Sequence, residues 1–103
     1  MKPATFAPAY CAIYPGLAEI VREHGYALAV HGSMARDFDV ICIPWVEKPS
    51  KPETVIHAIC GRFAIHSIGA PELKTHGRIA YILSIGFGDC ACDLSFMPIR
   101  GES

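Results

Sequence analysis

The chain has 103 residues, 51% of them hydrophobic, with a formal net charge of −1. That length suits a single domain, residues 1–103, with one core. The apolar share argues against disorder, and the balanced charge removes the footprint of non-specific nucleic-acid binding.

Residues 1–13 carry two prolines and little periodicity and read as an extended N-terminal arm. From Tyr14, apolar Leu17, Ile20 and Val21 recur at helical spacing; Pro15 suits a first turn and Gly25 a C-terminal stop. Tyr26–Val30 reads as a first strand and Phe38–Ile43 as a second, ended by Pro44. A proline-rich loop leads to a helix from Pro52 to about Arg62, with Val55, Ile56 and Ile59 as its apolar stripe. Residues 63–68 read as a short strand and Gly69–Gly77 as a polar loop. Arg78–Gly86 and Cys90–Met97 form two strands around a Gly-Asp turn, most simply a hairpin. This order predicts an α+β domain: a mixed or antiparallel sheet with two main helices packed on it.

No apolar run reaches the roughly eighteen residues of a membrane span, and the N-terminus lacks a signal-peptide apolar region. Cysteines at 11, 42, 60, 90 and 92 follow no disulfide framework and read as reduced thiols. The expectation is a cytoplasmic protein. Cys90-x-Cys92 lacks the second Cys/His pair that a zinc finger needs. The apolar surplus is consistent with a protein partner or a homo-oligomer.

The chemistry-bearing stretch is His31-Gly32-Ser33-Met34-Ala35-Arg36-Asp37-Phe38-Asp39-Val40-Ile41. A Gly-Ser turn offers backbone N–H groups and a hydroxyl to a phosphate. Asp37 and Asp39, two apart on a strand, point the same way and can share a divalent cation. Asp93 lies inside the apolar run Ala91-Cys92-Asp93-Leu94-Ser95, where a carboxylate is costly unless paired or metal-bound. If the hairpin brings Asp93 beside the second strand, three carboxylates converge. The structural alternatives are a turn role for Asp37 and ion pairs of Asp39 and Asp93 with Arg36, Arg78 or Lys74. Lys74, His76 and Arg78 could clamp a triphosphate, although Lys74 reads more simply as a solvated loop residue. His31 reads as a partly buried strand-end histidine, and Trp45, the single tryptophan, as a core or interface residue.

This wording resembles the DNA polymerase beta-type nucleotidyltransferase superfamily, in a minimal and degenerate form. The likeness rests on Gly32-Ser33, on Asp37-x-Asp39 at the next strand and on a later strand carboxylate, Asp93. It covers about Tyr14–Val46 and Ile79–Met97. The segment from Gly25 to Trp45 also resembles small proteins of tailed phages, which would place the chain in a bacterial host cytoplasm. The resemblance implies Mg²⁺ (or Mn²⁺) held by Asp37, Asp39 and Asp93 as metal ligands and catalytic groups. It implies phosphate contacts from Gly32 and Ser33, with Arg36 adjoining. It further implies transfer of a nucleotidyl group from a nucleoside triphosphate to a hydroxyl acceptor. The alternative is a non-catalytic binding or modulator protein of phage type, built on the same scaffold. Only three residues separate Gly-Ser from Asp37, too few for the helical turn that family members place there. A tight turn is expected instead, with a weakened anion site.

Overall fold

A computed structural model describes residues 7–32, 34, 37–85 and 90–99 of the chain. Two helices pack on one face of a five-stranded mixed sheet, an α+β fold. The elements are α1 (Ala7–Glu23), β1 (Tyr26–His31), β2 (Asp37–Pro44), α2 (Pro52–Arg62), β3 (His66–Leu73), β4 (Ile79–Ser84) and β5 (Ala91–Phe96), with a short 3₁₀ turn at Thr75–Gly77. Strand order is β1-β2-β5-β4-β3, with β2 and β5 parallel and the other neighbours antiparallel.

The extended arm expected over 1–13 is corrected from Ala7 onward, where the chain is already helical; residues 1–6 lie outside the described residues. The two prolines mask a full apolar stripe. Tyr10, Ile13, Tyr14, Leu17, Ile20 and Val21 recur every three or four residues and face the core. Pro15 removes one helical hydrogen bond, but it and Cys11, whose carbonyl it would have met, lie on the exposed side. Gly69–Gly77, expected as a loop, is half strand. β3 runs to Leu73 with a register shift between Ile68 and Glu72, and every residue in it is exposed.

The core lies between the helices and one face of the sheet, which carries the even-numbered residues of β2 and β5 and the odd-numbered ones of β4. Phe38, Val40 and Cys42 of β2 meet Cys92, Leu94 and Phe96 of β5 beneath Leu17, Val21, Val55 and Ile59. Tyr10 stacks on Phe38 at 4.9 Å between ring centroids, and its hydroxyl accepts the Ala91 N–H at 3.3 Å. Helix α1 is thereby tied to the starts of both β2 and β5. All five cysteines are free thiols. Burial pushes the Cys42 and Cys92 thiols up, the latter to about 12, so both are inert small hydrophobes in the core.

Each edge strand is guarded. On β1 the Tyr14 hydroxyl donates to the Leu28 carbonyl; on β3 the register shift and Pro71 interrupt the ladder. Gly25, at φ +92, lets the loop after β2 close on the α1–β1 corner. An added Cβ there would lie 2.6 Å from Val46 Cγ2. The corner is held by the Ser50 N–H to the His24 carbonyl at 2.9 Å and by the Tyr26 hydroxyl to the Ser50 carbonyl. Trp45, expected in the core or at an interface, is 63% exposed on this loop. Among the described residues no helix is long and apolar enough to cross a membrane.

Candidate acidic site on the open sheet face

Strand alternation sends Asp37, Asp39, Ile41 and Ile43 to the face that carries no helix. The parallel register sets Asp39 directly beside Asp93, and the antiparallel register sets His31 on the other side of Asp39. Directly opposed residues of neighbouring strands share a face, so His31, Asp39 and Asp93 form one row across β1, β2 and β5. Asp37 is on the same face, two residues nearer the strand start and beside Ala91. It is exposed, whereas Asp39 and Asp93 are half-buried. His31, expected partly buried, is exposed.

Among the described residues, neither Asp39 nor Asp93 has a cation within ion-pair distance; the Lys74 ammonium is bound instead to Glu72 at 2.8 Å. The ion pairs that would explain these carboxylates structurally are therefore unformed with Lys74 and Arg78. Partial burial raises the Asp93 carboxyl above its ordinary value, and the Asp39 charge raises it further. The positive charges of Lys74, Arg78 and His31 oppose that shift. With no counter-ion in contact among the described residues, the two carboxylates side by side are an oxygen-rich pair suited to a hard divalent cation. Among the described residues, no three His, Cys, Asp or Glu side chains are arranged to hold a metal as they stand.

Ser33 and Arg36 lie outside the described residues. Gly32 and Met34 of the same connection both take left-handed backbone, at φ +88 and +62. Met34 offsets that strain by packing its side chain against the core. Gly32 abuts the acidic row, since a Cβ built on it would meet Asp39 Oδ2 at 3.0 Å. Gly32→Ala should lower stability by about 1 kcal/mol, because only glycine adopts this φ without cost. Denaturant unfolding checks the value, and an unchanged midpoint would mean that the turn relaxes freely. A separate groove of about 590 Å³ lies between α2 and β3, lined by Ile56, His57, Cys60, Pro71 and Tyr81.

Sequence reasoning reached Asp39, with Asp37, through their two-residue spacing on a strand, and Asp93 through the cost of a carboxylate in an apolar strand. It named Lys74 and Arg78 as ion-pair partners or a triphosphate clamp, but not that they stand opposite each other on the ladder. The register that aligns them depends on an irregular strand carrying no apolar alternation. Compared with family models, with curated proteins and with solved structures, the chain finds no match.

Proposed function

We propose that the chain is a minimal nucleotidyltransferase-like protein that binds a nucleoside triphosphate with Mg²⁺ or Mn²⁺ and transfers its nucleotidyl group to an acceptor hydroxyl. The observation that carries this reading is the Asp39–Asp93 pair on adjacent parallel strands, with no ion-pair partner among the described residues, at the end of the sheet where Gly32 turns. Mg²⁺ is commonly held by one or two carboxylates together with the substrate's phosphates, so two protein ligands suffice and a complete protein cage is not required. Asp39 and Asp93 would hold the ion, with Asp37 as an outer carboxylate on the same face. Bound there, the ion would offset charge on the phosphates as the α-phosphorus–oxygen bond to pyrophosphate breaks and the bond to the acceptor oxygen forms.

With the short turn after Gly32, nucleotide affinity should be modest, with a Kd on the order of 0.1 mM, about 5 kcal/mol. Calorimetry with ATP, GTP, CTP and UTP in the presence of Mg²⁺ tests this. Heat with at least one nucleotide that is lost in Asp39→Asn supports the reading. A second reading, a non-catalytic binding module, is favoured by the exposed apolar residues Ile43, Trp45 and Val46 at the far end of β2. Absence of heat with all four nucleotides, together with a stable protein complex lost in Trp45→Ala, would replace the first reading with the second.

A further inference from the structure

The β3–β4 connection holds two cations in a fixed relation. Leu73 pairs with Ile79, and the Lys74 N–H then donates to the Arg78 carbonyl at 2.6 Å, so Lys74 and Arg78 are the next opposed pair of the ladder. Leu73 and Ile79 belong to the helix-covered side, so alternation sends Lys74 and Arg78 to the open face. The Lys74–Glu72 ion pair reports the same direction, and Glu72 lies beside Ala80, whose partner on β5 is Ser95. Like charges directly opposed across a ladder destabilise it, so this arrangement costs the fold something. It also leaves two donors aimed along the face that bears Asp39 and Asp93. The charges of both cations reach Asp93, and each acts on the other.

We propose that Lys74 and Arg78 form the polyphosphate-binding half of this site, taking the terminal phosphates of a nucleoside triphosphate whose inner phosphate lies at the Asp39–Asp93 pair. Arg78 stands four residues along β4 from Ile82, the register partner of Asp93. Four strand residues span about 13 Å, and the extended arginine and lysine side chains shorten this gap to the reach of a short polyphosphate. A guanidinium forks onto phosphate oxygens while an ammonium supplies a point charge, a complementary pair of donors. Glu72 is the resident counter-ion of Lys74 and would be displaced on binding.

This inference rests on the nucleotide reading, and its test separates the two. Calorimetry with inorganic triphosphate and with ATP, each with and without Mg²⁺, is run on the wild type and four variants whose fold is checked by circular dichroism. Arg78→Gln and Lys74→Gln should each weaken binding roughly tenfold. Glu72→Gln should tighten it by releasing Lys74, a gain that no merely structural role of the ion pair would produce. Binding unaltered in either the Arg78 or the Lys74 variant, or weakened in Glu72→Gln, overturns the proposal. Mg²⁺ heat in the wild type without any triphosphate binding overturns it alone. Metal-free triphosphate binding that survives Asp39→Asn but is lost in Arg78→Gln upholds the basic pair even if the metal reading falls. Binding of inorganic triphosphate with none of ATP overturns the commitment to a nucleotide.

Discussion

Phe38→Ala should lower stability by about 3–5 kcal/mol, the usual cost of emptying an aromatic site in a closed core. Phe38 is fully buried, stacked on Tyr10 with an interplanar angle of 7° and met edge-on by Tyr14 at 6.4 Å between centroids. Deleting the ring removes its transfer energy and both aromatic contacts. Against a total of about 5–15 kcal/mol for a domain of this size, the loss is a large fraction. With a urea dependence of about 1–3 kcal/mol per M, the unfolding midpoint should fall by about 1 M or more. Phe38→Leu should cost less, because it keeps apolar volume and loses only the ring geometry. A loss below 1 kcal/mol for the alanine variant would mean that α1 does not close on β2 as described. Phe38 stands between Asp37 and Asp39, so the packing that sets β2 in place also sets the two carboxylates on the opposite face.

This coupling explains which parts of the fold were legible. β1, β2, α2, β4 and β5 each carry their own signal: an apolar alternation or stripe bounded by glycine or proline. The start of α1 was hidden because Pro8 looks like an interruption and Pro15 like a first-turn residue, although the stripe through Tyr10 and Leu17 tolerates both on the solvent side. β3 has no buried residue, so it shows no period; it is held mainly by its backbone ladder to β4. The parallel pairing of β2 with β5 is set by the route of the chain through α2, β3 and β4, which no local pattern encodes. Asp93 was recognisable as a costly residue, but its place beside Asp39 and the alignment of Lys74 with Arg78 follow from register.

Ten millimolar Mg²⁺ should raise the thermal midpoint of the wild type and leave Asp93→Asn and Asp39→Asn unmoved. For a site Kd of about 1 mM the gain is about 1.4 kcal/mol, or about 6 °C and more for a domain this small. The metal-free state carries the complementary signature. The Asp93 carboxyl is held above its ordinary 3.8, first by partial burial and then by the Asp39 charge. The folded chain therefore binds this proton more tightly than the unfolded chain does. Its contribution to stability is complete below pH 3.8 and is lost as pH rises through the higher folded value. This is opposite in sign to the usual salt-bridged aspartate. At neutral pH without metal, Asp93→Asn removes the repulsion and should be at least as stable as the wild type. Toward pH 3 that advantage should disappear. Thermal unfolding of the three proteins at pH 3, 5 and 7, with and without Mg²⁺, reads both effects together. If the asparagine variants gain as much from Mg²⁺ as the wild type, the ion acts elsewhere. If they gain nothing and are also less stable than the wild type at pH 7 without metal, Asp39 and Asp93 are structural partners rather than an uncompensated pair. A metal response that vanishes in both variants, with equal or greater metal-free stability, is what two adjacent carboxylates that share a bound cation would produce.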